Sequence, residues 1–240
     1  MRPQILLSAV PLGAAIGVAC GGASVRPPVE SAVAAPSAIV DFDVLYRTNC
    51  AGCHGPNGEG GVALGLGHPI YLAIADEATV RKATANGVPG TGMPAFAQAA
   101  GGMLTDAQID VIVRGMRARW ARPNVLEGAE APPYAPAAPG DPRRGAGAYG
   151  RYCASCHDAA GRGGPRAGSI VEASYLALVS DQNLRTTVIA GRPDIGHPDW
   201  RATVSGTPMS AEEVSDVVAW LAAQRARLAN QKDRSRKDTP

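Results

Sequence analysis

Two copies of the pattern C-x-x-C-H carry the clearest chemistry in this sequence. Each copy places two thiols on one helical turn and an imidazole directly after them. The two sets are Cys50, Cys53 and His54, and Cys153, Cys156 and His157. Such a turn can form two thioether bonds to the vinyl groups of a haem, while the His ligates the iron from one face. The spacing therefore predicts two haem c groups, one at each motif.

Paired cysteines also have other uses. Two C-x-x-C pairs can share one zinc ion, and a single pair can cycle as a redox-active disulfide. A shared zinc site is disfavoured because a whole repeat separates the pairs and each pair is followed by its own His. The thioredoxin-like use is disfavoured because no β-α-β pattern surrounds either pair.

The composition agrees with a bound apolar group. The 240 residues include 29 Gly and 20 Pro, and aromatic residues make up only 5%. A small domain with so few large side chains needs apolar volume from elsewhere, and a haem supplies it. The net charge of +2 gives no reason to expect a nucleic-acid partner.

The chain contains two collinear copies of one unit. The offset between matching residues is 103 at the Cys motifs and 105 at the closing segments L-T-D-A-Q-I and M-S-A-E-E-V, so two single-residue loop insertions account for the drift. We therefore divide the chain into a signal or lipoprotein signal peptide (1–20), a flexible tether (21–36), domain 1 (37–120), a Pro/Ala-rich linker (121–140), domain 2 (141–229) and a disordered tail (230–240).

The N-terminus is typical of an export signal. Arg2 precedes a largely apolar run from Ile5 to Val18. The run ends in V-A-C-G-G, which resembles a bacterial lipobox with Cys20 as the lipidated residue, although Gly17 replaces the usual Leu. An ordinary signal peptide and an uncleaved anchor are the alternatives. All three predict a periplasmic or otherwise extracytoplasmic location, and the first predicts a lipid anchor in the membrane surface.

Helix signals dominate both copies, and neither has a convincing alternating strand. Apolar residues at helical spacing close each copy, after Thr105 and Ser210 as N-caps; they are Ile109, Ile112, Val113 and Met116, and Val214, Val217, Val218 and Leu221. Further helices cover about 41–49, 77–85 and 182–190, and one begins at Asp141. Gly87 and Gly191 are expected to end two of them in the αL conformation. The pattern predicts an all-α fold of two tandem domains, each a few helices around a haem.

The two copies resemble the class I cytochrome c family, in particular its bacterial tandem-domain type. The resemblance covers nearly all of 37–120 and 140–226. It rests on A-G-C-H-G-P-N-G-E-G-G, on G-T-G-M-P-A-F and on L-T-D-A-Q-I-D-V-I-V. In that family the Met of such a G-x-M-P loop is the distal iron ligand, which implies this role for Met93.

The second copy departs from this pattern because His197 stands where the Met is expected. Either His197 ligates the second iron opposite His157, or Met209 does so from further along the chain, or the site is open. Two arginines, Arg81 and Arg185, recur at one helix position. They are either partners of haem propionates or solvated residues on a helix face.

An iron with ligands on both faces can only gain and lose electrons. We therefore expect an extracytoplasmic dihaem electron carrier of a respiratory-type chain rather than an enzyme. The resemblance implies redox partners such as a membrane quinol-oxidising complex, an oxidase or a dehydrogenase, met either as a shuttle or as a fixed subunit. An open second iron would instead indicate a dihaem peroxidase or a haem that binds small ligands.

Overall fold

The computed structural model describes residues 35–201 and 207–237. In this part of the chain the regular structure is helical, and apart from two isolated bridges, Ala97 with Leu104 and Arg192 with His197, no strand pairing occurs. The all-α fold class is therefore confirmed. The predicted signal at 1–20, with Cys20, lies outside the described residues, as does the tether up to residue 34.

The two copies fold as the same series of five α-helices. The first comprises α1 (Phe42–Asn49), α2 (Ala51–His54), α3 (Pro69–Ile74), α4 (Glu77–Asn86) and α5 (Asp106–Trp120). The second comprises α6 (Pro142–Tyr152), α7 (Ala154–His157), α8 (Ala173–Leu178), α9 (Asp181–Ala190) and α10 (Ala211–Lys237). Short 3-10 turns cover Pro36–Ala38, Gln98–Ala100 and Pro193–Ile195. None of the helices in the described residues is long and apolar enough to cross a membrane.

The helix starts follow from local side-chain chemistry. The Asp141 carboxylate accepts the backbone N–H of Arg143, and Pro142 follows it as the first helical residue. Ser210 and Glu213 form a reciprocal capping box, since each side chain accepts the other's backbone N–H at 3.1 and 2.9 Å. These predicted caps are confirmed. Thr105 begins α5 in the same way.

The closing helices form the core of each domain. α5 packs against α1 and α4, and α10 packs against α6 and α9. The eight predicted apolar residues of α5 and α10 are all buried. Leu104 and Met209, each directly before its N-cap residue, are buried as well. The buried stripe and the buried residue before each N-cap therefore fix the point where the preceding loop ends and the closing helix begins.

Two glycines end α4 and α9, but not in the expected αL conformation. Gly87 has φ 68° and ψ −173°, and Gly191 has φ 73° and ψ −174°. That region is essentially open to glycine alone. The chain needs it because a Cβ on Gly87 would lie 2.7 Å from the carbonyl oxygen of Met93. The glycines thus let the following loop return directly against the helix end.

Two segments differ from the sequence expectation. The last helix continues to Lys237, past the start of the predicted disordered tail, because the segment from 231 to 237 holds no Gly or Pro to end it. The linker at 121–140 forms turns and irregular backbone, and several of its residues pack against the core, including Val125, Leu126 and Tyr134. It follows the protein surface instead of extending away from it.

Candidate cofactor sites

The first C-x-x-C-H motif lies on a single turn at the junction of α1 and α2. Cys50 ends α1, and its backbone N–H donates to the carbonyl of Tyr46. Cys50 and His54 are buried, while Cys53 is exposed. The Tyr46 hydroxyl donates to the carbonyl of Gly55 at 2.9 Å, which fixes the chain just after the imidazole. The second motif has the same arrangement, with Cys153 ending α6 and His157 ending α7.

Both motif histidines are held in one tautomer by a carbonyl group. His54 Nδ1 lies 2.8 Å from the carbonyl oxygen of Leu64, and His157 Nδ1 lies 2.8 Å from that of Gly168. A carbonyl oxygen only accepts hydrogen bonds, so Nδ1 carries the proton in each ring. When such a ring is neutral, Nε2 is its unprotonated nitrogen and can bind a metal ion. Burial lowers the pKa of His54, which favours this neutral form.

The first thiol of each motif is held in its neutral form. Burial raises the pKa of Cys50 to about 12 and that of Cys153 to about 11. Neither thiol is therefore an activated thiolate nucleophile. Among residues 35–201 and 207–237, no three His, Cys, Asp or Glu side chains cluster as metal ligands, so the Cys pairs do not come together as a zinc site. The donor set at each motif, two thiols and a free imidazole nitrogen, fits haem c.

Met93 lies in the loop that follows α4. Its carbonyl accepts the N–H of Val88 at 3.0 Å, and its own N–H donates to the Thr91 hydroxyl at 3.2 Å. These two bonds close the loop into a tight turn, and the Met93 side chain is half-buried.

His197 occupies the equivalent loop after α9. Its backbone exchanges two hydrogen bonds with Arg192, both at 2.9 Å. The ring centre of His197 lies 6.1 Å from that of His157, with 46° between the ring planes. His197 Nδ1 is buried and has no hydrogen-bond partner among the residues that the structure describes. Burial, and secondarily His157, lower the pKa of His197, which favours its neutral form. The loop thus presents a second imidazole to the second motif.

Met209, the other predicted distal residue, lies in the apolar core. Only 7% of it is exposed, and its backbone N–H donates to the carbonyl of Trp200 at 3.0 Å. Trp200 is itself buried, and Arg201 lies over its ring at 4.9 Å. Phe96 of the first domain is half-buried against the core. Met209 therefore packs in the core of the second domain beside Trp200, which follows His197 in the loop after α9.

The two recurring arginines have protein partners. Arg81 donates to Asp106 and Asp110 on α5 at 2.8 and 2.7 Å. Arg185 is only 2% exposed, so the expectation of a solvated helix-face residue is wrong for it. Its guanidinium binds Ser215 and linker carbonyls instead. The sequence also does not predict which carbonyls bind the motif histidines, because any residue type supplies a carbonyl. The structure gives them as those of Leu64 and Gly168.

Comparison with known proteins places these sites in a family. The family model described as "Cytochrome C oxidase, cbb3-type, subunit III" matches the chain twice, over residues 38–114 and 140–221. Two similar curated proteins are the cytochrome bc1 complex cytochrome c subunits of Mycobacterium bovis and Mycobacterium tuberculosis. Each is 26% identical over 178 residues, which cover 74% of this chain. The chain spans 60% of the length of these relatives.

One similar solved structure is a reducing HAO-like protein complex of Kuenenia stuttgartiensis, at 16% identity and a TM-score of 0.40, over 80% of this chain and 99% of that one. This likeness is too distant to carry over any property. The family match rests on both repeats and includes both C-x-x-C-H motifs. The chain therefore belongs to this family of c-type electron-transfer cytochromes, as two class I cytochrome c domains in tandem.

Proposed function

We propose that this protein is an extracytoplasmic electron carrier that holds two haem c groups and passes single electrons between redox partners. In this proposal the first haem is bound by Cys50 and Cys53 and ligated by His54 and Met93. The second is bound by Cys153 and Cys156 and ligated by His157 and His197. Bound haem supplies an iron that alternates between two oxidation states.

The observation that carries the proposal is the separation of the His157 and His197 rings. His157 and His197 would hold one iron only if both rings lay within reach of it; a metal–nitrogen bond is about 2 Å long, and the ring centre lies about 1 Å further. The observed separation is 6.1 Å. A second imidazole at this place leaves no open position for a peroxide or another small ligand, which favours electron transfer over a peroxidase-like enzyme.

The chain's own residues hold the rings in place for this role. The carbonyls of Leu64 and Gly168 fix the tautomer of His54 and His157. The paired hydrogen bonds between the backbones of Arg192 and His197 hold the distal loop. Because folded backbone fixes these rings, they would hold a bound iron in either oxidation state with little movement, which would favour fast electron exchange.

Absorption and electron paramagnetic resonance spectra of the purified holoprotein test this function. We expect two low-spin haems, one of them with the thioether–iron band. His197→Ala should convert one haem to a high-spin form, and the matched control Met209→Leu should leave both spectra unchanged. A high-spin haem in the unaltered protein would contradict the electron-carrier proposal in favour of the enzyme. An effect of Met209→Leu alone would move the ligand role to Met209.

The location and partners form a second part of the proposal. The V-A-C-G-G sequence supports attachment to a bacterial membrane surface through lipidated Cys20. The bc1-complex names of the mycobacterial relatives support a quinol-oxidising membrane complex as electron donor, with an oxidase or dehydrogenase as the other class of partner. Mass spectrometry of the mature N-terminus tests the anchor, since an unlipidated N-terminus downstream of Cys20 would show a free periplasmic carrier. Reduction of the purified protein by quinol-oxidising membranes, blocked by an inhibitor of that complex, tests the donor.

A further inference from the structure

The same arginine position has different partners in the two domains. On α4, Arg81 Nε and Nη2 donate to Asp110 and Asp106 at 2.7 and 2.8 Å, which ties α4 to α5. At the offset of 105 that relates α5 to α10, the two aspartates correspond to Ala211 and Ser215. The second domain therefore lacks both carboxylates that hold this arginine in the first.

Arg185, the equivalent of Arg81, binds the linker instead. Its Nη1 donates to the Ser215 hydroxyl at 2.9 Å, the one contact that corresponds to the first domain. Nε and Nη2 donate to the carbonyl of Pro133 at 3.0 and 2.9 Å, and Nε also lies 3.0 Å from the carbonyl of Tyr134. One turn earlier on α9, Gln182 donates to the carbonyl of Tyr134 at 2.8 Å. Four hydrogen bonds thus converge on two consecutive linker residues.

The burial of Arg185 makes these carbonyls necessary. The residue is 2% exposed, and burial lowers its pKa. A buried guanidinium has a large desolvation penalty unless its N–H groups are satisfied. Carbonyl dipoles and one hydroxyl take the place of the missing carboxylates, so removal of the linker from this site would take away every one of these acceptors of Arg185 except the Ser215 hydroxyl.

The linker is fixed to the second domain at two further points. Arg201 Nη1 donates to the carbonyl of Val125 at 3.0 Å, near the linker's start. At its end, Gly140 approaches α10 so closely that a Cβ would lie 2.0 Å from the carbonyl oxygen of Ser215. The helix α9, which carries Arg185, also packs against α3 of the first domain. The linker is therefore held on a helix that itself meets the first domain.

We propose that the α9–α10 face around Arg185 is a binding site for the linker of the same chain, and that Arg185 is the positioning residue that fixes the two domains relative to each other. This inference rests on the proposed two-haem function for its consequence. An electron lost by one domain is gained by the other, so a fixed separation gives a single exchange rate between them. A free linker would give a distribution of separations and rates.

The test uses the full-length holoprotein and two variants, one changed in the second domain and one changed in the first. Ala211→Asp combined with Ser215→Asp restores the two carboxylates of the first domain and should draw Arg185 away from the linker. Ala211 is exposed in the first turn of α10, where an added acid is favourable, so this variant retains Arg185 and the core. The matched control is Arg81→Gln, which loosens α4 from α5 but touches no linker contact.

Chymotrypsin, which cleaves after Tyr134, reports the linker directly. We expect the double variant to be cleaved after Tyr134 about a hundredfold faster, because three hydrogen bonds from a charged donor to the linker are lost. The control should match the unaltered protein. After photoreduction, the exchange of electrons between the haems should change from one rate to several in the double variant only.

Two results would overturn the inference: cleavage after Tyr134 unchanged in the double variant and in Arg185→Gln, or cleavage of the unaltered protein after Tyr134 as fast as that of an unfolded peptide. Failure of the two-haem proposal is distinguishable, because it would appear as a haem count other than two or an altered spectrum in the unaltered protein, while the cleavage readout needs no haem chemistry.

Discussion

The carboxylate of Asp216 on α10 accepts two parallel hydrogen bonds from the guanidinium of Arg144 on α6, at 2.7 and 2.9 Å. It also accepts the backbone N–H of Asp141 at 2.6 Å. Only 4% of the Asp216 side chain is exposed, whereas 55% of Arg144 is. One buried acid therefore joins the start of α6 to the second turn of the closing helix. This fixes the helix that leads into the second C-x-x-C-H motif.

We predict that this pair makes the second domain acid-sensitive. The hydrogen bonds from Arg144 hold the pKa of Asp216 below its usual value. A depressed folded-state pKa contributes stability above the unfolded pKa of about 3.9, and this contribution is lost as the pH falls below that value. Asp216→Asn should lower the free energy of unfolding at pH 7 by about 2 kcal/mol and flatten its fall below pH 4.

Urea unfolding of the holoprotein between pH 3 and pH 7 measures this effect. Asp106→Asn is the control, since Asp106 pairs with Arg81 at the surface and is 77% exposed; its effect should be below about 1 kcal/mol. Equal pH profiles for Asp216→Asn and the unaltered protein would show that the buried acid does not govern acid stability.

Asp158 is the residue directly after the second motif, and we predict that its side chain compensates a strained backbone. It has φ 64°, and it occupies the position of Gly55, which has φ 81°. Its carboxylate accepts the N–H groups of Ala160 and Arg162 at 2.6 and 3.2 Å. Asp158→Ala keeps the strain and loses both hydrogen bonds, so it should lower the stability of the folded protein. Asp158→Gly relieves the strain while losing the same bonds and should lie close to the unaltered protein.

Thermal unfolding of both Asp158 variants at equal haem content checks the prediction. The difference between the two variants carries the test because both lose the same carboxylate. If Asp158→Gly is as unstable as Asp158→Ala, the hydrogen bonds and not the backbone conformation decide stability at this position.

Sequence reasoning succeeded where the interacting residues are close in the chain. The capping box joins Ser210 to Glu213, three residues later, and the apolar stripe of α10 follows helical periodicity. Both can therefore be predicted from the sequence. The loop position of His197 was set by alignment of the repeats. The hydrogen bonds of Arg185 to the linker could not be predicted, because their acceptors lie about fifty residues away and are backbone carbonyls. One sequence signal points to these contacts: Ala211 and Ser215 replace the two carboxylates of the first domain. That signal can be interpreted only when the packing of α9 against α10 is known.

We predict two covalently bound haems per chain, one for each motif. A haemochrome assay against protein mass should give a ratio of two. Cys153→Ala with Cys156→Ala should halve this ratio and leave the first domain with its Met-ligated spectrum, because α1 to α5 contain both proposed ligands of the first haem. A ratio of one in the unaltered protein, or zinc in place of iron, would contradict the prediction.

We predict that the two haems differ in reduction potential and that the first is higher. A thioether ligand such as Met93 raises the potential of a haem iron, while a second imidazole such as His197 stabilises the ferric form. Electrons from a low-potential donor would then enter at the second domain and leave from the first. Spectroelectrochemical titration should show two separate one-electron steps. His197→Met gives the second domain the proposed ligand set of the first and should raise its potential toward that of the first haem, whereas Met209→Leu should shift neither step. A titration of His197→Met that matches the unaltered protein would show that His197 is not an iron ligand, and the gap between the haems would then have to arise from burial or charge around the second site.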